Sequence, residues 1–152
     1  MTCTFFGHQD TPNEVSEKLE ATLIDLIENH SADMFYVGNQ GHFDYMVRKT
    51  LKKLKAKYSN IKYLVVLAYL PGKRKVFDDT EYSDTIYPDG LEKTPLKYAI
   101  YKRNEWLLDK SDTVITYVKF ITGGAAKFKE LAEKKGKWVI NLYIKEINAI
   151  KS

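Results

Sequence analysis

The feature that most constrains this chain is an alternation. Five short apolar runs, at 2–6, 34–37, 63–70, 113–118 and 138–142, are separated by longer stretches whose hydrophobic residues recur at helical spacing. Strands joined through helices do not form tight hairpins. Each helix carries the chain back to the end it started from, so the strands align in parallel and the helices cover both faces of the sheet. The expected architecture is an α/β three-layer sandwich with a mostly parallel central sheet. The 152 residues suit a single domain, 1–152, long enough to bury a sizeable core.

The helices are marked by their ends. Thr11 can cap, Pro12 fits a first turn and Glu14 completes a capping box, so a helix is expected to start there. Val15, Leu19, Leu23, Ile24 and Ile27 then share one face as far as about His30. A second helix presents Phe43, Met46, Val47, Leu51 and Leu54, and a third presents Leu96, Ala99, Ile100 and Leu107. The fourth begins behind Gly123 and Gly124, and Gly136 ends it as a C-cap. Run 63–70 is the most hydrophobic and predicts a fully buried strand closed by Pro71 and Gly72, while the β-branched run 113–118 suits a central strand. Stretch 73–94 is polar and aperiodic, which predicts a functional loop or lid, and 143–152 is a tail or short final helix.

The formal charge of +4 is mildly basic, and much of the excess sits on one helix, in Arg48, Lys49, Lys52, Lys53, Lys55 and Lys57. These read as a solvated face opposite a buried stripe. No nucleic-acid motif accompanies them, so nucleic acid is not expected as a partner. No run is long enough to span a bilayer and no signal-peptide pattern opens the chain, so a cytoplasmic protein without a membrane partner is expected. Cys3 is the single cysteine, which excludes an intramolecular disulfide and a thiolate metal cluster; inside an apolar strand it reads as a small core residue.

In parallel sheets of this kind ligands bind beyond the carboxyl ends of the strands. Those ends carry Gly7 and His8, then Gly38, Asn39, Gln40 and Gly41, then Tyr69 and Pro71, and finally the stretch 119–124 with Gly123 and Gly124. Glycine at three of the four lets backbone approach a ligand closely, which predicts a nucleotide-type pocket. A helix that starts behind Gly123 and Gly124 offers free N–H groups and a positive dipole end to phosphate. Arg103, on the preceding helix, supplies a guanidinium that can grip phosphate or carboxylate in two places.

The residues Gly38-Asn39-Gln40-Gly41, Tyr101-Lys102-Arg103-Asn104, Ser111-Asp112 and Gly123-Gly124-Ala125-Ala126-Lys127-Phe128, together with Gly7-His8 and Tyr87-Pro88, resemble the SLOG superfamily over nearly the whole chain. That superfamily unites DNA-processing proteins of the SMF type with the Lonely-guy phosphoribohydrolases, and this chain is most similar to its small stand-alone members. The resemblance implies a Rossmann-like fold and a homodimer or higher oligomer. The family's hydrolases carry an Arg-Lys pair followed by Pro-Gly-Gly-x-Gly-Thr-x-x-Glu. Here Arg103 matches the arginine, Gly123 and Gly124 match, and Glu130 falls on the glutamate. Asn104 replaces the lysine, Thr122 the proline, Ala126 the third glycine and Lys127 the threonine. Lys127 could supply a full charge to a phosphate in place of the lost hydroxyl contact, or mark a different ligand.

Alternatives stay open at single residues. Arg103 could instead form a surface ion pair, His8 could serve the pocket or a structural hydrogen bond, and Asp44 could line the pocket or cap its own helix. Tyr87 could stack on a base. Asp78, Asp79 and Asp84 fit no recognised metal-ligand spacing, and the reading requires neither metal nor cofactor. Three functions follow, in order. The first is a sensor or sequestering module for a phosphorylated nucleotide derivative, of ADP-ribose or nucleoside monophosphate type, which the altered phosphate loop favours. The second is a phosphoribohydrolase that cleaves the N-glycosidic bond of a nucleoside monophosphate, with Arg103 as anion clamp and Glu130 stabilising the cationic sugar. The third is single-stranded DNA binding through the lysine helix and exposed tyrosines.

Overall fold

The computed structural model describes residues 1–69 and 85–144. Along the chain run β1 (Thr2–Gly7), α1 (Val15–Asn29), β2 (Met34–Val37), α2 (Gly41–Lys57), β3 (Lys62–Val66), β4 (Thr85–Ile86), a short 3-10 turn (Leu91–Lys93), α3 (Leu96–Lys110), β5 (Thr113–Tyr117), α4 (Gly124–Lys134) and β6 (Trp138–Asn141). Among the described residues the sheet is six-stranded in the order β4-β3-β2-β1-β5-β6, and every pairing is parallel. This is the α/β, Rossmann-like sandwich that the alternation predicts.

Each face of the sheet has its own core, and the period of two along the strands sorts residues between them. Phe5, Val65 and Ile115 join Leu19, Leu23, Val47 and Leu51 of α1 and α2. Their chain neighbours Phe6, Val66 and Val114 join Leu107, Leu108, Phe128 and Ala132 of α3 and α4. Cys3 lies fully buried in the first core, where burial pushes its thiol up to about 12. Because the thiolate is the reactive form, native protein at pH 8 is expected to leave Cys3 unmodified by an aromatic disulfide reagent. Full reaction should appear only in denaturant; stoichiometric labelling of the folded protein would contradict this burial.

The structure corrects several local expectations. The sheet has a sixth strand, the two-residue β4, inside the stretch expected to be a loop. It pairs with β3 only at Val65 and Val66, too short a match to leave a period in the sequence. For the same reason β3 is neither fully buried nor as long as 63–70. It ends at Val66, and its first half, which β4 does not reach, is exposed at Lys62 and only partly covered at Tyr63 and Leu64. Pro71, Asp78, Asp79 and Asp84, with most of the expected lid, lie outside the described residues.

The capping box at Thr11 does not form. α1 begins at Val15, with Glu14 in the cap position and no side-chain cap bond. The Val15 and Ser16 N–H groups donate to the carbonyls of Pro12 and Asn13 at 3.1 Å each, which satisfies donors a cap would have served. Thr11 turns inward, and its Oγ1 donates to the His8 carbonyl at 2.6 Å, fastening the turn that follows β1. On α3, Leu96 is 74% exposed rather than inward. The inner stripe there is Ala99, Arg103 and Leu107, spaced four apart and all buried. Arg48 likewise leaves the solvated lysine face and is buried, while its lysine neighbours stay exposed.

Candidate functional site

β1 lies between β2 on one side and β5 on the other, so the chain leaves it in opposite directions and a crevice opens beyond the carboxyl ends of the strands. A cleft of about 310 Å³ occupies this position, over a floor of Phe5, Phe6, Ile100 and Leu107. Its walls carry Gly7, His8 and Gln9 from the end of β1, Gly38, Gln40 and Asp44 from the turn into α2, Arg103 and Asn104 from α3, and Gly124 and Ala125 from the start of α4. Segments distant in sequence are therefore brought to one point.

Arg103 is only 3% exposed. Its Nε donates to Asn104 Oδ1 at 2.9 Å and its Nη1 to the Val66 carbonyl at 3.0 Å. Asp44 is buried too, and its Oδ2 accepts the Gln40 N–H at 2.9 Å. The two side chains converge under Gly38: a Cβ built there would lie 2.5 Å from Asp44 Oδ2 and 2.7 Å from Arg103 Nη1. Burial pushes the Asp44 carboxyl above its ordinary range, against the attraction of Arg103, the Gln40 N–H and Arg48. Burial also lowers the Arg103 guanidinium, with Asp44 and Tyr69 opposing it. For both groups the loss of water outweighs the partner's charge, as expected in a low-dielectric site.

Behind these two groups, Arg48 Nη1 donates to the Gly38 carbonyl at 3.2 Å, so the turn 38–41 is held by one arginine and, through the Gln40 N–H, by Asp44. Gly41 has φ +85° and packs against Gln9, and the His42 N–H donates to the Gln9 carbonyl at 2.8 Å, tying this turn to the one after β1. On the opposite wall the Lys119 N–H donates to His8 Nε2 at 2.8 Å. His8 thus lines the cleft and makes a structural hydrogen bond, and accepting at Nε2 places the neutral ring's proton on Nδ1.

The sequence-predicted residues divide as follows. Gly7, His8, Gly38, Gln40, Asp44, Arg103, Asn104, Gly124 and Ala125 meet at the cleft. Gly123 is the N-cap of α4 with φ 101° and accepts the Lys127 N–H at 3.1 Å, just outside. Asn39 contributes a buried Oδ1 without a partner among the described residues. Tyr69, three residues beyond the end of β3, is exposed. Lys127 is exposed, with Nζ 4.7 Å from the centre of the Tyr101 ring. Ala126 and Glu130 line a separate groove beyond β5 and β6, and Glu130 pairs with Lys134 at 3.3 Å. Gln9 and Arg48 were missed. Gln9 follows Gly7 and His8 in the same turn, which was a usable signal; Arg48, one turn beyond Asp44, was hidden among lysines.

Among the described residues no helix is long and apolar enough to cross a membrane. No family model matches the sequence, and comparison with curated proteins gives no match. Solved structures do share the fold. The X-ray structure of DNA processing protein A (DprA) from Streptococcus pneumoniae aligns with a TM-score of 0.68 at 16% identity, over 91% of this chain and 48% of its own. DNA processing protein A from Helicobacter pylori, in a structure described as giving insight into its single-stranded DNA binding mode, aligns with a TM-score of 0.61 at 13% identity, over 91% of this chain and 63% of its own. The chain therefore spans less than two thirds of either relative, and the likeness is one of fold. It corrects the expectation that nucleic acid is no partner. That expectation rested on the lack of a nucleic-acid motif, yet a protein of this same fold, equally distant in sequence, is described as binding single-stranded DNA.

Proposed function

We propose that the chain binds a phosphorylated, nucleotide-derived small molecule in the cleft beyond β1 and β5, and acts as a sensor or sequestering module for it. The observation that carries this reading is the convergence of Gly7, Gly38 and Gly124 with a buried arginine at one cleft. Gly7 and Gly38 let Phe43, Asp44 and Arg103 pack against backbone, while the space at Gly124 is open, and the N-terminus of the eleven-residue α4 offers N–H groups to a phosphate there. The resemblance to the SLOG superfamily points the same way. Binding is favoured over N-glycosidic hydrolysis by the position of Glu130, which is exposed and lines another groove.

A second reading, single-stranded DNA binding, draws on the shared fold with DNA processing protein A and on the exposed lysines of α2. One experiment separates the readings. Thermal melting is followed with nucleoside monophosphates, ADP-ribose and a thymidine oligonucleotide at low and high salt, and each mixture is then chromatographed. Stabilisation by a mononucleotide recovered intact supports the first reading, since a ligand selective for the folded state raises Tm by mass action. Free base in the eluate makes the chain a hydrolase. Stabilisation by the oligonucleotide alone, collapsing steeply with salt, favours DNA.

A further inference from the structure

We propose that His8 is a positioning residue for the cleft: its ring latches the segment 119–122, which leads into the start of α4, and releases it on protonation. The consequence for nucleotide binding rests on the nucleotide reading of the cleft; the latch itself does not. Residues 119–124 are exposed throughout, and Ile121 stands 97% in solvent. Among the described residues one hydrogen bond joins 119–122 to the body of the protein, from the Lys119 N–H to His8 Nε2 at 2.8 Å. Beside it the Phe120 ring lies 5.3 Å from the His8 ring, which meets Tyr117 edge-on at 6.0 Å. His8 is itself fixed at its backbone, where the carbonyl accepts Thr11 Oγ1 and the Thr11 N–H. The bond thus ties the end of β1 to a segment with little else to hold it, and His8, Gly124 and Ala125 all line the same cleft.

This bond requires a lone pair on Nε2. A protonated imidazole carries hydrogen on both nitrogens, so the Lys119 N–H would face a donor in place of an acceptor. Imidazole is the side chain that ordinarily changes charge between pH 5 and 8. The ionisable groups about it are Lys119 in the segment, Tyr117 against the ring, and Asp10, Glu14 and Tyr143 within electrostatic reach of Tyr117. Arg103 and Asp44 face it from the cleft wall. None of these side chains hydrogen-bonds the ring among the described residues, so the ring's own proton decides whether Nε2 accepts. The next tether is the Gly123 carbonyl, which accepts the Lys127 N–H. Release at His8 therefore loosens the whole approach to the first turn of α4, where the phosphate is placed.

The test follows the Lys119 amide by NMR at pH 5 and pH 8, as its exchange with water relative to an unstructured peptide at the same pH. Wild type is compared with His8→Gln, whose carbonyl accepts without titrating, and with His8→Phe, which keeps a ring against Tyr117 and Phe120 but has no acceptor. Wild type should be protected about tenfold more at pH 8 than at pH 5. His8→Gln should be protected equally at both values and His8→Phe at neither. Equal protection of wild type at the two values, or protection in His8→Phe, overturns the latch. The same proteins are titrated calorimetrically with nucleoside 5′-monophosphates at both pH values. Wild-type affinity should fall by about tenfold from pH 8 to pH 5 beyond any change in His8→Gln, a comparison that cancels titration of His30, His42 and the phosphate. A fall no larger than that of His8→Gln overturns the positioning role and leaves the nucleotide reading standing. No binding by wild type at either pH overturns the nucleotide reading, while the wild-type exchange data decide the latch even if a variant does not fold.

Discussion

Replacing Arg103 with leucine is expected to destabilise the chain by about 1–3 kcal/mol, because a buried carbonyl is left without its donor and a buried carboxyl without a compensating charge nearby. Leucine would fit the stripe of Ala99 and Leu107 on α3, so the loss is not one of packing. It comes from the Val66 carbonyl losing its donor and from Asp44 losing its strongest attractive charge. The pH dependence identifies the cause. The Asp44 carboxyl stands above its ordinary range in the folded chain because burial wins over the partners that hold it down, Arg103 first. Without Arg103 it rises further. A carboxyl raised by folding holds its proton more tightly in the native state, so its stabilising contribution is full at low pH and is lost as pH rises through the folded value. The deficit of Arg103→Leu relative to wild type should therefore be smaller at pH 5 than at pH 8, measured by urea denaturation at both. Equal deficits at the two values would show that Asp44 is not the group left without compensation.

The second large effect is expected at Gly38. Alanine there would drive a methyl group to 2.5 Å from Asp44 Oδ2 and 2.7 Å from Arg103 Nη1. Neither end can swing aside cheaply, since one accepts the Gln40 N–H and the other donates to the Val66 carbonyl. Overpacking of this kind costs about 1–3 kcal/mol. The displaced groups belong to the cleft, so nucleotide affinity should fall by on the order of tenfold to a hundredfold. Gly124→Ala is the informative companion, since its new Cβ would meet nothing within 4 Å. It should melt within about 1 °C of wild type and still bind nucleotide more weakly if the phosphate approaches the first turn of α4. Melting curves with and without nucleotide read both effects, and wild-type affinity in Gly38→Ala would refute the assignment of Asp44 and Arg103 to the ligand site.

The alternation of apolar runs with helical stretches is a local property, written within windows of about ten residues, and it determined the sheet type and the position of most elements. The run 34–37 became β2 without a shift of boundary, and Gly123, Gly124 and Gly136 punctuate α4 where turn chemistry requires them. The glycine-bearing strand ends that marked a pocket in the sequence line one in the fold, because parallel strands bring their carboxyl ends to the same edge. What local pattern does not carry is which of two faces a polar side chain takes when its neighbours permit either. Arg103 stood out in the sequence as a ligand candidate and Arg48 only as one of a row of cations, yet that both are buried, Arg48 on the Gly38 carbonyl and Arg103 on the Val66 carbonyl, was settled by tertiary packing. Glu130, aligned by resemblance with a catalytic residue, lies on the side of α4 turned away from the cleft. The approach of Asp44 and Arg103 to Gly38 joins residues 59 apart in sequence. It exists only because the strand order sets β2 beside β1 and β3, so that burial and charge meet at a point defined by the tertiary structure alone.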